Sequence, residues 1–126
     1  MFSTASDLAI FCQTMLNGGV YAYRRLLQRT TVEQFTTPDS LSANTRTLGW
    51  NAPTPDSSSG RYFSPRSFGH TGFTGTSLWV DPDRHLFVVL LTNRVNPTRH
   101  NDKFRRVRPA VHDAVVEVLN LAGRKS

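Results

Sequence analysis

A chain of 126 residues has room for one domain, 1–126, with one modest core, and not for several. Its hydrophobic content of 38% exceeds that of a disordered chain, yet no apolar run approaches the roughly 20 residues that would cross a bilayer, so no membrane partner is expected. The net charge of +6 favours anionic surfaces, but no RRM, KH, helix-turn-helix or zinc-knuckle pattern accompanies the arginines, and nucleic acid is not expected as a partner.

The first helix is predicted over Ser3–Gly19. Ser3 or Thr4 can cap it, and Asp7 suits the positive end of its dipole. Leu8, Phe11, Cys12, Met15 and Leu16 recur at helical spacing and define one apolar face. Asn17, Gly18 and Gly19 end it. Val20–Leu27 reads as a turn with one extended piece. Thr30 or Thr31 then caps a short helix that runs through Phe35 and stops before Pro38. Asp39–Thr47 is a polar loop, Leu48–Asn51 a short strand, and Pro53–Gly60 a surface loop on composition.

Three strands are expected in succession. The first is Ser67–Phe73. The second is Thr76–Val80, with Leu78 and Val80 on one face and Trp79 on the other. The third is Leu86–Thr92, whose unbroken apolar run fits a strand buried on both faces. The turn cluster Asp81–His85 and the other short connection favour an antiparallel meander. Asn93–Arg108 reads as a basic loop. Pro109 suits the first position of a closing helix, with Val111, Val115, Val118, Leu119 and Ala122 as its stripe. The expected class is α+β: a three-stranded antiparallel meander packed by an N-terminal and a C-terminal amphipathic helix.

Candidate functional residues are few. Arg24, Arg25 and Arg29 form one basic patch, and Arg105, Arg106 and Arg108 a second; both also read as solvated surface. Cys12 falls on an apolar face and reads as core. With a single cysteine no intrachain disulfide is available. His85, His100 and His112 have no metal-ligand spacing with Asp or Glu, so neither a metal nor a cofactor is expected. Trp50 is a better candidate than Trp79 for a cleft wall. His70-Thr71-Gly72, taken alone, reads equally as a strand histidine before a glycine turn. No signal peptide is read at the N-terminus.

The run SFGHTGFTGTSLWVDPDRHLFVVLLTNRVNPTR, with FSTASDLAIFCQTMLNGG before it and RPAVHDAV after it, resembles the C-terminal part of the serine β-lactamase and penicillin-binding-protein-like hydrolases. The class C-like esterases and peptidases are the nearest branch. The resemblance implies a partial β-lactamase-like fold and a sheet strand bordering an active site for small-molecule esters or amides. His70, Thr71 and Gly72 match the family's Lys-Thr-Gly or His-Thr-Gly triplet. The Phe73 N–H would then serve the oxyanion hole, where one donor is worth about 3–4 kcal/mol of barrier. Gly72 would let substrate approach the strand, and Thr71 would offer its hydroxyl to a carboxylate or carbonyl. His70 would replace a lysine cation with an imidazole, which leans toward ester or amide hydrolysis.

The family's Ser-x-x-Lys nucleophile has no match. His100 precedes Lys103 by three positions, and Ala122 precedes Lys125. The Tyr-x-Asn element has only Tyr62-Phe63-Ser64 as an imitation, in the wrong order and place. The expected protein is therefore the last third of such a hydrolase, inactive alone, and no residue matches the nucleophile or base. The alternative is a non-catalytic binding or interaction module, for which the basic charge suggests an anionic partner. In the family the Leu86–Thr92 strand pairs with N-terminal strands, so its open edge is expected to drive self-association or to be covered by a shift of the C-terminal helix. The family is often exported, and the sequence does not assign a compartment.

Overall fold

A computed structural model describes residues 2–38 and 46–119. The predicted polar loop at 39–45 and the end of the closing stripe at Ala122 lie outside them.

The first helix, α1, spans Ala5–Leu16. Thr4 caps it: its hydroxyl accepts from the Asp7 N–H at 3.1 Å and donates to the Asp7 carboxylate at 2.9 Å. Of the predicted face, Cys12 and Met15 are buried, whereas Phe11 remains 38% exposed. Val20–Leu27 folds as a hairpin of β1 (Val20–Tyr21) and β2 (Arg24–Arg25), turning through Ala22 and Tyr23 at positive φ. The second helix, α2, spans Arg29–Thr36 and begins earlier than predicted. Neither Thr30 nor Thr31 caps it; the residue before it, Gln28, makes no side-chain cap bond, and an Arg29–Glu33 ion pair at 3.0 Å links its first two turns.

The predicted meander forms. β3 is Phe68–Thr71, β4 is Ser77–Asp81 and β5 is Leu86–Leu90, in the order β3-β4-β5 with both pairs antiparallel. Strand alternation divides the core into two layers. Phe68 and Val80 pack with Cys12, Met15 and Val32, and Leu78, Phe87 and Val89 join them on the α1 side. Trp79 and Val88 pack with Phe63 and Val116 on the opposite side. β5 contributes to both layers, Phe87 and Val89 to one and Leu86 and Val88 to the other, but only Val88 is buried and the rest are half-buried, so the strand is less enclosed than its apolar run predicts. The Leu48–Asn51 segment contributes isolated bridges rather than a strand: Asn51 exchanges two main-chain bonds with Gly69, at 2.8 and 3.0 Å, on the outer edge of β3. Trp50 packs against Phe11 and Phe68, with ring centroids 6.0 and 5.4 Å away, so it belongs to the core margin.

The closing helix, α3, spans Phe104–Val118 and corrects the sequence reading twice. Pro109 lies inside it, and five residues assigned to loop belong to it. Its buried positions are His112 and Val116, while Val118 is 79% exposed and Leu119 52%. The stripe is rotated because its centre is a histidine, which hydropathy patterning scores as polar. Pro53–Gly60 is also less free than its composition implies. Ser59 is fully buried, the Trp79 indole N–H donates to Ser58 Oγ at 3.0 Å, and Asp113 accepts from Arg61 N at 2.6 Å and Arg61 Nε at 3.0 Å.

Burial pushes the Cys12 thiol up to about 12, as expected of a core residue rather than a nucleophile. Burial also lowers the pKa of His112, against an opposing hydrogen bond to the Ser58 carbonyl. That carbonyl can only accept, so His112 Nδ1 carries the proton and donates at 2.6 Å; Nε2 is buried without a partner among the described residues. The charged Asp113 and Arg108 flank the ring with opposite effects. A depressed folded value means that the unfolded chain binds the proton more tightly. This contribution is therefore complete above the ordinary value of about 6.5 and is lost as pH falls from there through the folded value. Urea midpoints measured from pH 7 down to 5 should fall in the wild type, by at most about 1.4 kcal/mol per pH unit from this group. They should fall less steeply in His112→Gln. Parallel profiles would remove His112 as the cause.

Candidate active-site wall

β3 carries the His-Thr-Gly triplet to a tight turn that joins β4. His70 pairs with Leu78 and Thr71 with Ser77; the Gly72 N–H then donates to the Thr76 carbonyl at 2.8 Å. Main-chain groups alternate sides along an extended strand. Gly69 bonds outward to Asn51, while Gly72 bonds inward toward β4. Thr71 therefore presents its main-chain groups to the outer edge. Phe73 lies beyond the end of β3, in the turn that the Gly75 N–H closes on the Gly72 carbonyl. No hydrogen bond to a described residue uses the Phe73 N–H.

The side chains follow the same alternation. His70 is exposed on the α1 side, and Thr71 faces the α3 side. The Phe73 ring is 66% exposed. A Cβ on Gly72 would meet the Thr76 hydroxyl, which would have to rotate aside to admit it. The predicted strand Ser67–Phe73 is thus shorter than expected: His70 and Thr71 end β3, while Gly72 and Phe73 enter the turn, because the Gly75 N–H closes on the Gly72 carbonyl.

Sequence reasoning missed what holds that strand end. A cleft of about 480 Å³ separates the turn from the start of α3, and Arg94, Arg99, Arg105 and Arg108 line it opposite Thr71, Gly72 and Phe73. Arg94 donates from Nε to the Phe73 carbonyl at 2.7 Å, and its guanidinium lies 4.9 Å from the Phe73 ring centroid. Arg108 donates from Nη2 to the Gly72 carbonyl at 2.7 Å and the Thr76 carbonyl at 3.2 Å, and from Nε to the Gly75 carbonyl at 3.2 Å. Burial, and secondarily the charge of Arg94, lowers the pKa of Arg108. Arg108 was assigned to a solvated basic patch; it is half-buried and bonded to backbone. Neither Arg94 nor Arg108 forms an ion pair among the described residues, and Arg105 has only the exposed Asp102 at 3.7 Å. The first patch is likewise occupied locally: Arg25 donates to the Gly18 and Leu27 carbonyls at 3.1 and 3.0 Å, and Arg29 pairs with Glu33.

Among the described residues no group of three or more His, Cys, Asp or Glu side chains is placed to hold a metal ion, and no helix is long and apolar enough to cross a membrane. The chemistry available at the strand end is that of an amide N–H with no partner among the described residues, a hydroxyl and an imidazole, with the arginines of the cleft beside them. Such a strand end can accept an extended acyl substrate and stabilise charge on its carbonyl oxygen, but it supplies no activated nucleophile.

Comparisons with known proteins agree with this layout. The sequence profile of the family described as Beta-lactamase matches residues 1–112. A protein of Escherichia coli (strain K12) named "Putative D-alanyl-D-alanine carboxypeptidase" is 41% identical over 97 residues, covering 75% of this chain and 22% of its own length. A protein of the same name from Salmonella gallinarum is 40% identical over 106 residues, covering 82% of this chain and 24% of its own. The chain thus spans under a quarter of the length of these relatives. The crystal structure of a beta-lactamase from Mycobacterium bovis superposes with a TM-score of 0.75 at 26% identity, over 92% of this chain and 44% of that one.

Proposed function

The chain belongs to the Beta-lactamase family, and on that footing we propose that it forms one wall of a serine-hydrolase active site and performs no acyl transfer alone. In this reading the Phe73 N–H stabilises the oxyanion of a small ester or amide substrate. Thr71 hydrogen-bonds a substrate carboxylate or carbonyl, and His70 takes the first position of the triplet, which the family fills with lysine or histidine. One observation carries the assignment: in the turn directly after β3 the Phe73 N–H has no hydrogen-bond partner among the described residues, while the Gly72 and Phe73 carbonyls are held by guanidinium groups. The absence of a Ser-x-x-Lys motif from these 126 residues supports inactivity of the isolated polypeptide.

The experiment is a turnover assay of the 126-residue chain with nitrocefin and p-nitrophenyl esters. The expected rate equals that of buffer. Hydrolysis that a serine-directed covalent inhibitor abolishes would overturn the inactivity half of the reading.

A second reading is favoured by the far side of the sheet. β5 pairs with β4 alone, and its outer edge has no partner among the described residues. Leu91, directly after it, is 46% exposed. Identical edge strands can pair antiparallel about a two-fold axis, so the occupant proposed for this edge is a second copy of the chain. Sedimentation equilibrium should then give a dimer that Leu91→Lys weakens at least tenfold. A monomer at the highest soluble concentration would eliminate self-pairing.

A further inference from the structure

We propose that Arg108 is a positioning residue for the Phe73 N–H: from α3 its guanidinium grips the turn carbonyls and thereby fixes the direction of the amide assigned above to the oxyanion. This rests on the function proposed above for Phe73, and it adds a residue that neither the His-Thr-Gly triplet nor its flanks contain.

The geometry is that of one peptide plane. The Gly72 carbonyl and the Phe73 N–H belong to the same peptide unit. Among the described residues the only cis bond is Asn96–Pro97, so this unit is trans and its two polar groups point in opposite directions. Arg108 Nη2 donates to that carbonyl at 2.7 Å, the shortest of its three contacts with the turn. The Gly75 N–H adds a longer bond at 3.2 Å to the same oxygen. Holding the oxygen toward α3 aims the N–H away from α3. The following peptide unit is fixed in the same way by Arg94 Nε on the Phe73 carbonyl at 2.7 Å, and the unit after that by the Arg94 N–H on the Thr74 carbonyl at 2.8 Å. Both peptide planes flanking Phe73 are thus set from behind by guanidinium groups.

Arginine suits this task and lysine does not. Three carbonyls, of Gly72, Gly75 and Thr76, converge on one planar fork, whereas an ammonium is a single point of charge on a flexible stem. The Phe104 ring lies 5.1 Å from the guanidinium carbon and holds the fork in plane. Carbonyls alone compensate the Arg108 charge among the described residues, which accords with a group built to orient backbone rather than to close an ion pair. A helix staple could equally have ended on a carboxylate.

The test uses the isotope-labelled 126-residue chain in solution. In the wild type, a through-hydrogen-bond coupling between the Arg108 side-chain nitrogens and the Gly72 carbonyl carbon is expected, and its absence would overturn the proposal without any variant. In Arg108→Lys the Phe73 N–H order parameter should drop from about 0.85 to below about 0.6. In Asp113→Asn, which loosens α3 at a different contact, it should not drop. Loss of order in both variants, or in neither, would make Arg108 an ordinary staple. Acetate titration of the wild type separates this outcome from failure of the oxyanion reading. A downfield shift of the Phe73 amide, at least tenfold weaker in Arg108→Lys, supports both. No shift in a wild type whose Arg108 coupling is present overturns the oxyanion role and leaves the positioning role standing.

Discussion

Asp81→Ala should destabilise the fold by about 3–5 kcal/mol, a loss of about 10–20 °C in Tm for a chain of this size. Asp81 closes β4 with no solvent exposure at all. Its carboxylate accepts from the Ser64 N–H at 2.9 Å, the Ser64 hydroxyl at 2.7 Å, and the N–H groups of Asp83 and Arg84 at 3.1 and 3.2 Å. Arg84 Nη1 lies 3.2 Å away with a side chain only 14% exposed. Removing the carboxylate strands a nearly buried cation and four donors at once. The cost of the uncompensated charge exceeds the worth of the pair. Two comparisons isolate that cause. Ser64→Ala removes one donor and should cost about 1 kcal/mol. Asp81→Ala combined with Arg84→Met should recover part of the loss, because the stranded cation is gone. Chemical denaturation of the three variants decides: a double variant no more stable than Asp81→Ala would show that the charge was not the main cost.

Asp81 also shows where sequence reading stops. DPDRH was legible as a turn because Pro and Asp set its local geometry, and the meander followed from its shortness. That the first Asp belongs to β4 and bonds Ser64, seventeen positions away, depends on tertiary packing that no local pattern encodes. The same division holds elsewhere. The α1 face and the existence of β5 were legible because periodicity and an unbroken apolar run carry them, although of β5 only Val88 is buried. α3 was misread at its start, since Pro109 in a basic stretch suits a first helical turn better than an interior. It was misread in register as well, since its most buried side chain is a histidine. At the candidate site the triplet and Phe73 were legible by resemblance. Arg94 and Arg108 were not: they reach turn carbonyls 21 to 36 positions away, and an arginine that binds backbone looks in sequence like one that binds water.

Trp79→Ala should cost a further 3–5 kcal/mol or so, and its consequences reach the candidate site. Trp79 is 1% exposed and joins three elements. Its indole lies against Gly69, where a Cβ would collide with the ring, so β3 can pass beneath it only as glycine. It meets Phe63 edge-on, with centroids 6.3 Å apart, and shares a cluster with Val88 and Val116 of α3. Its N–H holds Ser58, whose carbonyl in turn accepts from His112. Trp79→Phe keeps most of the buried area and loses the hydrogen bond, so it should cost about 1–2 kcal/mol. A cost equal to that of alanine would make the Ser58 bond, not packing, the dominant contribution. Because α3 rests on this ring and carries Arg108 to the turn, the alanine variant should also disorder the Phe73 amide, and the phenylalanine variant should leave it ordered. Amide order parameters of the two variants, measured well below their midpoints, test that link. An ordered Phe73 in Trp79→Ala would mean that Arg108 finds the turn carbonyls without the layer beneath it.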